Sequence, residues 1–331
     1  MRIGTVLHGA YGDVYEQALS ISILKSRYNA DDQFIAFFSR KDRLKAFSHF
    51  KLDMFDEVYD TDAIGKVEVD KFHQFQINDQ ELKEDVLDKL SEGLMRQFDI
   101  TVNHLPWNTL KTHDFRRSPL SIALSDNGNE HYERLLAKHD LPSKYRHSKL
   151  RIGYLWRYRS KYGAVKPYFQ KDKDWILASK SELFNHLINQ HNAHIVIAGM
   201  NVGQSAKVAN KDKEDAGVLL GEISAKFANE TLDLPDEQVT YLCGDGYASE
   251  MEIIANTDIQ IVMPSGFSEP LWMRNGKRTL LVDPPPVYLL KLLKYRMPLF
   301  DNTGAPTFYY NNLKKHSSAT VYKELQRRQL F

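Results

Sequence analysis

The chain has 331 residues, 42% of them apolar and 11% aromatic, which suits two buried cores of about 150 residues each better than one. Lys plus Arg number 44 against 43 Asp plus Glu, so there is no global basic field to hold a nucleic-acid backbone. The single cysteine, Cys243, makes no internal disulfide and fits a reducing compartment. No stretch approaches the ~18 apolar residues of a membrane span. The apolar run after Arg2 is broken at His8, so no secretory signal is read and a cytoplasmic location is expected.

In chain order, Arg2 to Leu7 reads as a strand and His8-Gly9-Ala10-Tyr11-Gly12-Asp13 as a tight turn. A helix follows from Val14 to Arg27, with apolar residues at mixed spacings of a helix packed on a sheet. Gly9 and Gly12 let the backbone take positive φ or approach a ligand closely. Asp13 sits where a helix N-terminus favours a carboxylate, either as a cap or as a general base presented at a crevice. Gln33 to Phe38 is a continuous apolar run and Glu57-Val58-Tyr59 a third, shorter strand, as in parallel sheets covered on both faces. Helices are expected over 40–50 and 79–97, then a strand over 100–103. This alternation implies right-handed crossovers and a doubly wound sheet, with ligands at the carboxyl ends of its strands.

Asp126-Asn127-Gly128-Asn129 reads as a turn, with a helix over 130–139 that Leu141-Pro142-Ser143 ends. A second set of alternations starts at Leu150, so the domain boundary is placed near residues 140–149. Strands are expected over 150–155, 194–198, 239–242, 259–263 and 279–282, with helices over 181–191 and 249–256. The segment 201–234 reads as a charged insertion or a lid. The apolar stretch 287–296 carries Lys291, Lys294 and Arg296, which suits either a peripheral membrane contact or a helix docked between domains. Residues 317–330 read as a terminal helix that crosses back to the first domain.

Three clusters at strand ends of the second half could carry chemistry. Trp156 to Lys161 supplies three cations, Arg157, Arg159 and Lys161, which form either a solvated loop or a clamp on a diphosphate. Met200 and Asn201 with Leu242 could wall a nucleobase, although such residues are usually core. In Pro264 to Pro270, Ser265 and Gly266 could offer donors to a phosphate and Glu269 could accept from a ribose, or Ser268 or Glu269 could simply cap a helix. The triplets Asp60-Thr61-Asp62 and Asp172-Lys173-Asp174 match a divalent-cation pattern that is common by chance, and the twelve histidines show no metal-ligand spacing.

Gly12-Asp13 leading into a helix that ends Leu24-Lys25-Ser26-Arg27-Tyr28, the segment Ile254-Ala255-Asn256-Thr257-Asp258, and Ser265-Gly266 together resemble the GT-B glycosyltransferases, and among them the heptosyltransferase-like family. That family grips its donor diphosphate with an Asp-Ser/Thr-Gly-x-x-His loop, in which Pro264 and Glu269 stand here for the acid and the histidine. His8-Gly9 with Arg157 and Arg159 is loosely similar to bacterial fucosyltransferases. The resemblance implies an α/β fold of two Rossmann-like domains in tandem with a cleft between them. Residues 1–145 would bind the acceptor, 146–310 the nucleotide sugar, and 311–331 would form a helix packed back on the first domain. It further implies an inverting, metal-independent transferase without a cofactor, moving a sugar from a nucleoside-diphosphate sugar to a carbohydrate acceptor, lipid-linked or not. Asp13 would be the base. Gly12, Arg157, Arg159, Lys161, Ser265 and Gly266 would hold the diphosphate; Met200, Asn201, Leu242 and Glu269 the nucleoside; His8 and Tyr11 the acceptor. An epimerase of the same double-Rossmann build and a noncatalytic nucleotide-binding protein are the alternatives.

Overall fold

The structure is a computed structural model. It describes residues 1–9, 11–76, 99–104, 121–155, 177–198, 232–242, 245–262, 271, 278–282, 307–309 and 318–327. The chain divides into two compact units, Met1–Gly128 with Leu292–Asn302, and Asn129–Lys291 with Thr303–Phe331.

The first unit is built on strands β1 (Arg2–Leu7), β2 (Gln33–Phe38), β3 (Glu57–Asp60), β4 (Lys71–Gln76) and β5 (Asp99–His104), with helices α1 (Tyr11–Lys25) and α2 (Lys41–Phe47). All its ladders are parallel, in the order β3-β2-β1-β4-β5. Helix α3 (Asp126–Lys138) carries the chain across the division. The second unit holds α4 (Leu141–His147), β6 (Leu150–Leu155), α5 (Leu177–His191), β7 (Ala193–Ala198), β8 (Val239–Leu242), α6 (Tyr247–Ala255), β9 (Ile259–Val262), β10 (Thr279–Val282), β11 (Thr307–Tyr309) and α7 (Ser318–Arg327). Its parallel sheet runs β11-β10-β9-β6-β7-β8. Counted from the first strand of each unit, the first sheet follows the doubly wound order 3-2-1-4-5 and the second extends it to 3-2-1-4-5-6.

The apolar runs explain the strands. Phe34 to Phe38 and Ile195 to Ala198 have no exposed surface, because in a parallel sheet covered on both faces every side chain meets a helix or a neighbouring strand. The duplication extends to atoms. The first strand of each unit contains Arg-Ile-Gly, and in both an aspartate that precedes the fourth strand clamps the arginine's backbone. Arg2 N donates to Asp70 Oδ2 at 2.7 Å while Asp70 N donates to Arg2 O at 2.9 Å. In the second unit Arg151 N donates to Asp258 Oδ2 at 2.8 Å and Asp258 N to Arg151 O at 2.9 Å. Burial pushes the Asp258 carboxyl up, but its bonds from Arg151 outweigh that and hold it low. Each clamp fixes register between the central strand and the strand on its far side, the pairing that a one-residue slip would turn inside out.

Several boundaries differ from expectation. The division falls inside α3, because its C-terminal half is tied to the second unit. His139 Nε2 lies 3.0 Å from an Asp245 oxygen, Lys138 pairs with the same carboxylate, and His131 Nδ1 lies 2.8 Å from Ser249 Oγ. Leu141-Pro142-Ser143 starts α4 rather than only ending a helix. Asp140 turns the chain at φ 49° and Pro142 occupies the first turn of the new helix, where its missing N–H is harmless. Helix α7 packs within the second unit, to which it belongs. Val321 and Leu325 join the core formed with Leu183, Phe184 and Leu187 of α5, and Tyr322 Oη lies 2.8 Å from His191 Nε2. The stretches 79–97, 201–231 and 287–296 lie outside the described residues. Among the described residues no helix is long and apolar enough to cross a membrane.

Among the described residues, each sheet carries a buried histidine. His73 on β4 is 4% exposed and His194 on β7 is 2% exposed. Burial, aided by Lys71 beside the first and Lys144 beside the second, lowers each imidazole from 6.5 to about 4. Between those values the unfolded chain binds protons that the folded protein does not. Stability is therefore intact above pH ~6.5 and falls as the pH drops toward ~4, by up to roughly 3 kcal/mol per histidine. Urea midpoints measured from pH 7.5 to 4.5 should decline, and the His73→Gln/His194→Gln double variant should show a flatter dependence. An unchanged slope in that variant would assign the acid sensitivity to other groups.

Candidate functional site

The site that the described residues carry best lies at the carboxyl end of β1. This strand has β2 on one side and β4 on the other, so its end is the point where crossovers leave in opposite directions and a crevice opens. The chain leaves through His8 and Gly9 and enters α1 at Tyr11, three residues earlier than the sequence pattern suggests. Asp13 is thus the third residue of the helix, inside the first turn, rather than the residue before it.

Gly9 explains how the turn is made so short. It adopts φ 99°, and a Cβ on it would fall 2.8 Å from Asp13 Oδ2 and 2.9 Å from Asp13 Cβ. Both the left-handed backbone and the carboxylate lying against its Cα require glycine here. Gln17, fully buried one helical turn beyond Asp13, staples the turn from below. Its Nε2 donates to His8 O at 2.8 Å and to Asp13 O at 2.9 Å, and its Oε1 accepts from His8 N at 3.4 Å. From α2, the Arg43 guanidinium stacks 3.8 Å from the Tyr11 ring centroid.

Of the expected site residues, Gly12, Tyr11 and Asp13 gather at this turn, with Gly12 buried and the other two half-buried. His8 is fully buried, which removes its side chain from any acceptor surface in this conformation; the strand end draws it into the interior. Leu242 likewise has no exposed surface and serves the core instead of walling a nucleobase. Arg157, Arg159, Lys161, Met200, Asn201, Ser265, Gly266 and Glu269 lie outside the described residues. Asp60 and Asp62 are bridged by Lys41, whose Nζ lies 3.7 Å and 2.9 Å from their carboxylates, so an ammonium offsets part of the charge of the triplet. Among the described residues no three His, Cys, Asp or Glu side chains gather as metal ligands. Gln17 and Arg43 were not legible as site residues. Gln17 offers a spacing of four from Asp13 as its signal, whereas Arg43 comes from another helix and offers none.

No family model matches the sequence, and no curated protein matches it. Solved structures do. The ADP-heptose LPS heptosyltransferase II of E. coli is similar with a TM-score of 0.58 at 14% identity, over 100% of this chain and 99% of that one. A glycosyl transferase of family 9 from Veillonella parvula gives 0.62 at 11% identity, over 99% and 97%. The E. coli heptosyltransferase WaaC, in a structure with ADP, gives 0.52 at 13% identity, over 99% and 98%. With two doubly wound units that repeat one topology, and likeness running the whole length of each chain, the protein has the GT-B fold of the heptosyltransferases.

Proposed function

We infer that the protein is a glycosyltransferase that moves a sugar from a nucleoside-diphosphate sugar to a carbohydrate acceptor. The observation that carries this reading is the carboxylate of Asp13, held against Gly9 at the switch point of the first sheet. The acceptor hydroxyl would approach within hydrogen-bond reach of that carboxylate and lose its proton to it as its oxygen attacks the anomeric carbon. The bond from that carbon to the diphosphate breaks, and the leaving group departs with the electron pair. In this reading Arg157, Arg159, Ser265 and Gly266 stabilise the negative charge that develops, in place of a metal ion. A single displacement inverts the anomeric centre, and a product of retained configuration would sink that part of the reading.

ADP is the first nucleotide to try, because a heptosyltransferase of the same fold was solved with it. Thermal unfolding should be followed with ADP, GDP, UDP, CMP and TDP, without added metal. One diphosphate at a hundred times its dissociation constant should stabilise the protein by about 2.7 kcal/mol, and Arg157→Ala should abolish the shift. No shift with any of the five would favour a noncatalytic protein on this fold.

A further inference from the structure

The geometry points to Arg43 as the positioning residue that holds Asp13 in working orientation. The inference rests on the reading of Asp13 as the base. Arg43 carries a full charge yet its side chain is only 12% exposed, a placement that costs free energy unless the charge is partnered. Its partners are specific. One face of the guanidinium covers the Tyr11 ring at 3.8 Å. Nη1 lies 3.0 Å from Asp42 Oδ2, and Asp42 is itself fixed by Arg40 through bonds of 3.0 Å and 2.9 Å. Nε donates to Gly9 O at 3.4 Å, a long bond, so the stacking carries more of the hold.

These contacts bracket the turn. Gly9 is the residue against which the Asp13 carboxylate rests, and Tyr11 opens the helix on which Asp13 stands. Gln17 fixes the inner side of the turn through His8 and the Asp13 carbonyl. Arg43 fixes the outer side, where Gly9 would otherwise be the freest backbone in the segment. With one face on the ring and one edge on Asp42, the guanidinium acts through the turn rather than on a substrate. Lysine lacks both the planar face and the fork.

Arg43→Ala and Arg43→Lys test this, assayed by release of nucleoside diphosphate to water from ADP-heptose, GDP-fucose and UDP-N-acetylglucosamine. Arg43→Ala should lose about 100-fold in kcat with the donor KM unchanged, as a misplaced catalytic group does, and Arg43→Lys should recover only part. Hydrogen exchange at the Gly12 and Asp13 amides should quicken in Arg43→Ala while exchange along β2 stays native. Native turnover in Arg43→Ala, a rise in KM with kcat unchanged, or unchanged exchange at Gly12 and Asp13 each overturns the assignment. Asp13→Asn in the same assay separates the failures. If it turns over normally, the base reading has failed; if it is inactive while Arg43→Ala is native, only the positioning role has failed.

Discussion

Asp13→Asn is expected to lower turnover by about 10²–10⁴-fold, the range that a positioned general base contributes, while nucleotide binding and the unfolding midpoint stay close to native. The substitution is nearly isosteric, so the contact with Gly9 survives. What it removes is the negative charge and the ability to take a proton. At the first turn of α1 the lost charge–dipole interaction is worth only about 0.3–1 kcal/mol, too little to explain a large fall in rate. A purely structural Asp13 therefore predicts a small stability change with native turnover, whereas a base predicts the same small stability change with the large fall in turnover. Donor release and thermal unfolding measured on the same preparation decide between them. Parallel losses in turnover, donor binding and the unfolding midpoint would mean that the substitution disturbs the turn itself, and would return Asp13 to a structural role.

The apolar strands and the two-fold alternation were legible in the sequence because parallel strands advertise themselves as continuous apolar runs. Gln33–Phe38 and Ala193–Ala198 lie within a residue of where the pattern puts them. β4 escaped for the opposite reason. Lys71-Phe72-His73-Gln74-Phe75-Gln76 has only two apolar residues, yet it pairs with β1 and β5 inside the sheet. Its buried histidine is accommodated by being kept neutral, which no hydropathy pattern expresses. β11, three residues long at Thr307–Tyr309, was too short to register. At the site, Gly9, Gly12 and Asp13 were readable because turn chemistry is local. The burial of His8, the staple by Gln17 and the stacking of Arg43 on Tyr11 depend on elements that meet only after folding. The Asp126-Asn127-Gly128 segment misled in the same way. It has turn composition but is the first turn of α3, with Ser125 Oγ accepting from Gly128 N at 3.1 Å as a capping serine does.

That glycine is where the largest loss of stability is expected. A Cβ on Gly128 would fall 2.1 Å from the carbonyl oxygen of His49, far inside van der Waals contact and against backbone, which cannot turn aside as a side chain can. Helix propensity pulls the other way, since alanine is better than glycine within a helix by about 1 kcal/mol. Separating the two segments would disturb the bond from Ser125 N to His49 O at 2.9 Å, the bond from Lys51 N to Ala123 O at 2.8 Å, and the bridge between Phe50 and Leu124. A net hydrogen bond is worth about 0.5–1.5 kcal/mol, and the bridge holds together Phe50 and Leu124, both core residues. Gly128→Ala should therefore destabilise the protein by about 2–4 kcal/mol net of the propensity gain. The unfolding midpoint should fall by about 5 °C or more. Asn127→Ala, at an exposed position of the same turn, supplies the control and should leave the midpoint within about 1 °C. A raised midpoint in Gly128→Ala would mean that propensity wins and that the first turn of α3 does not press on His49.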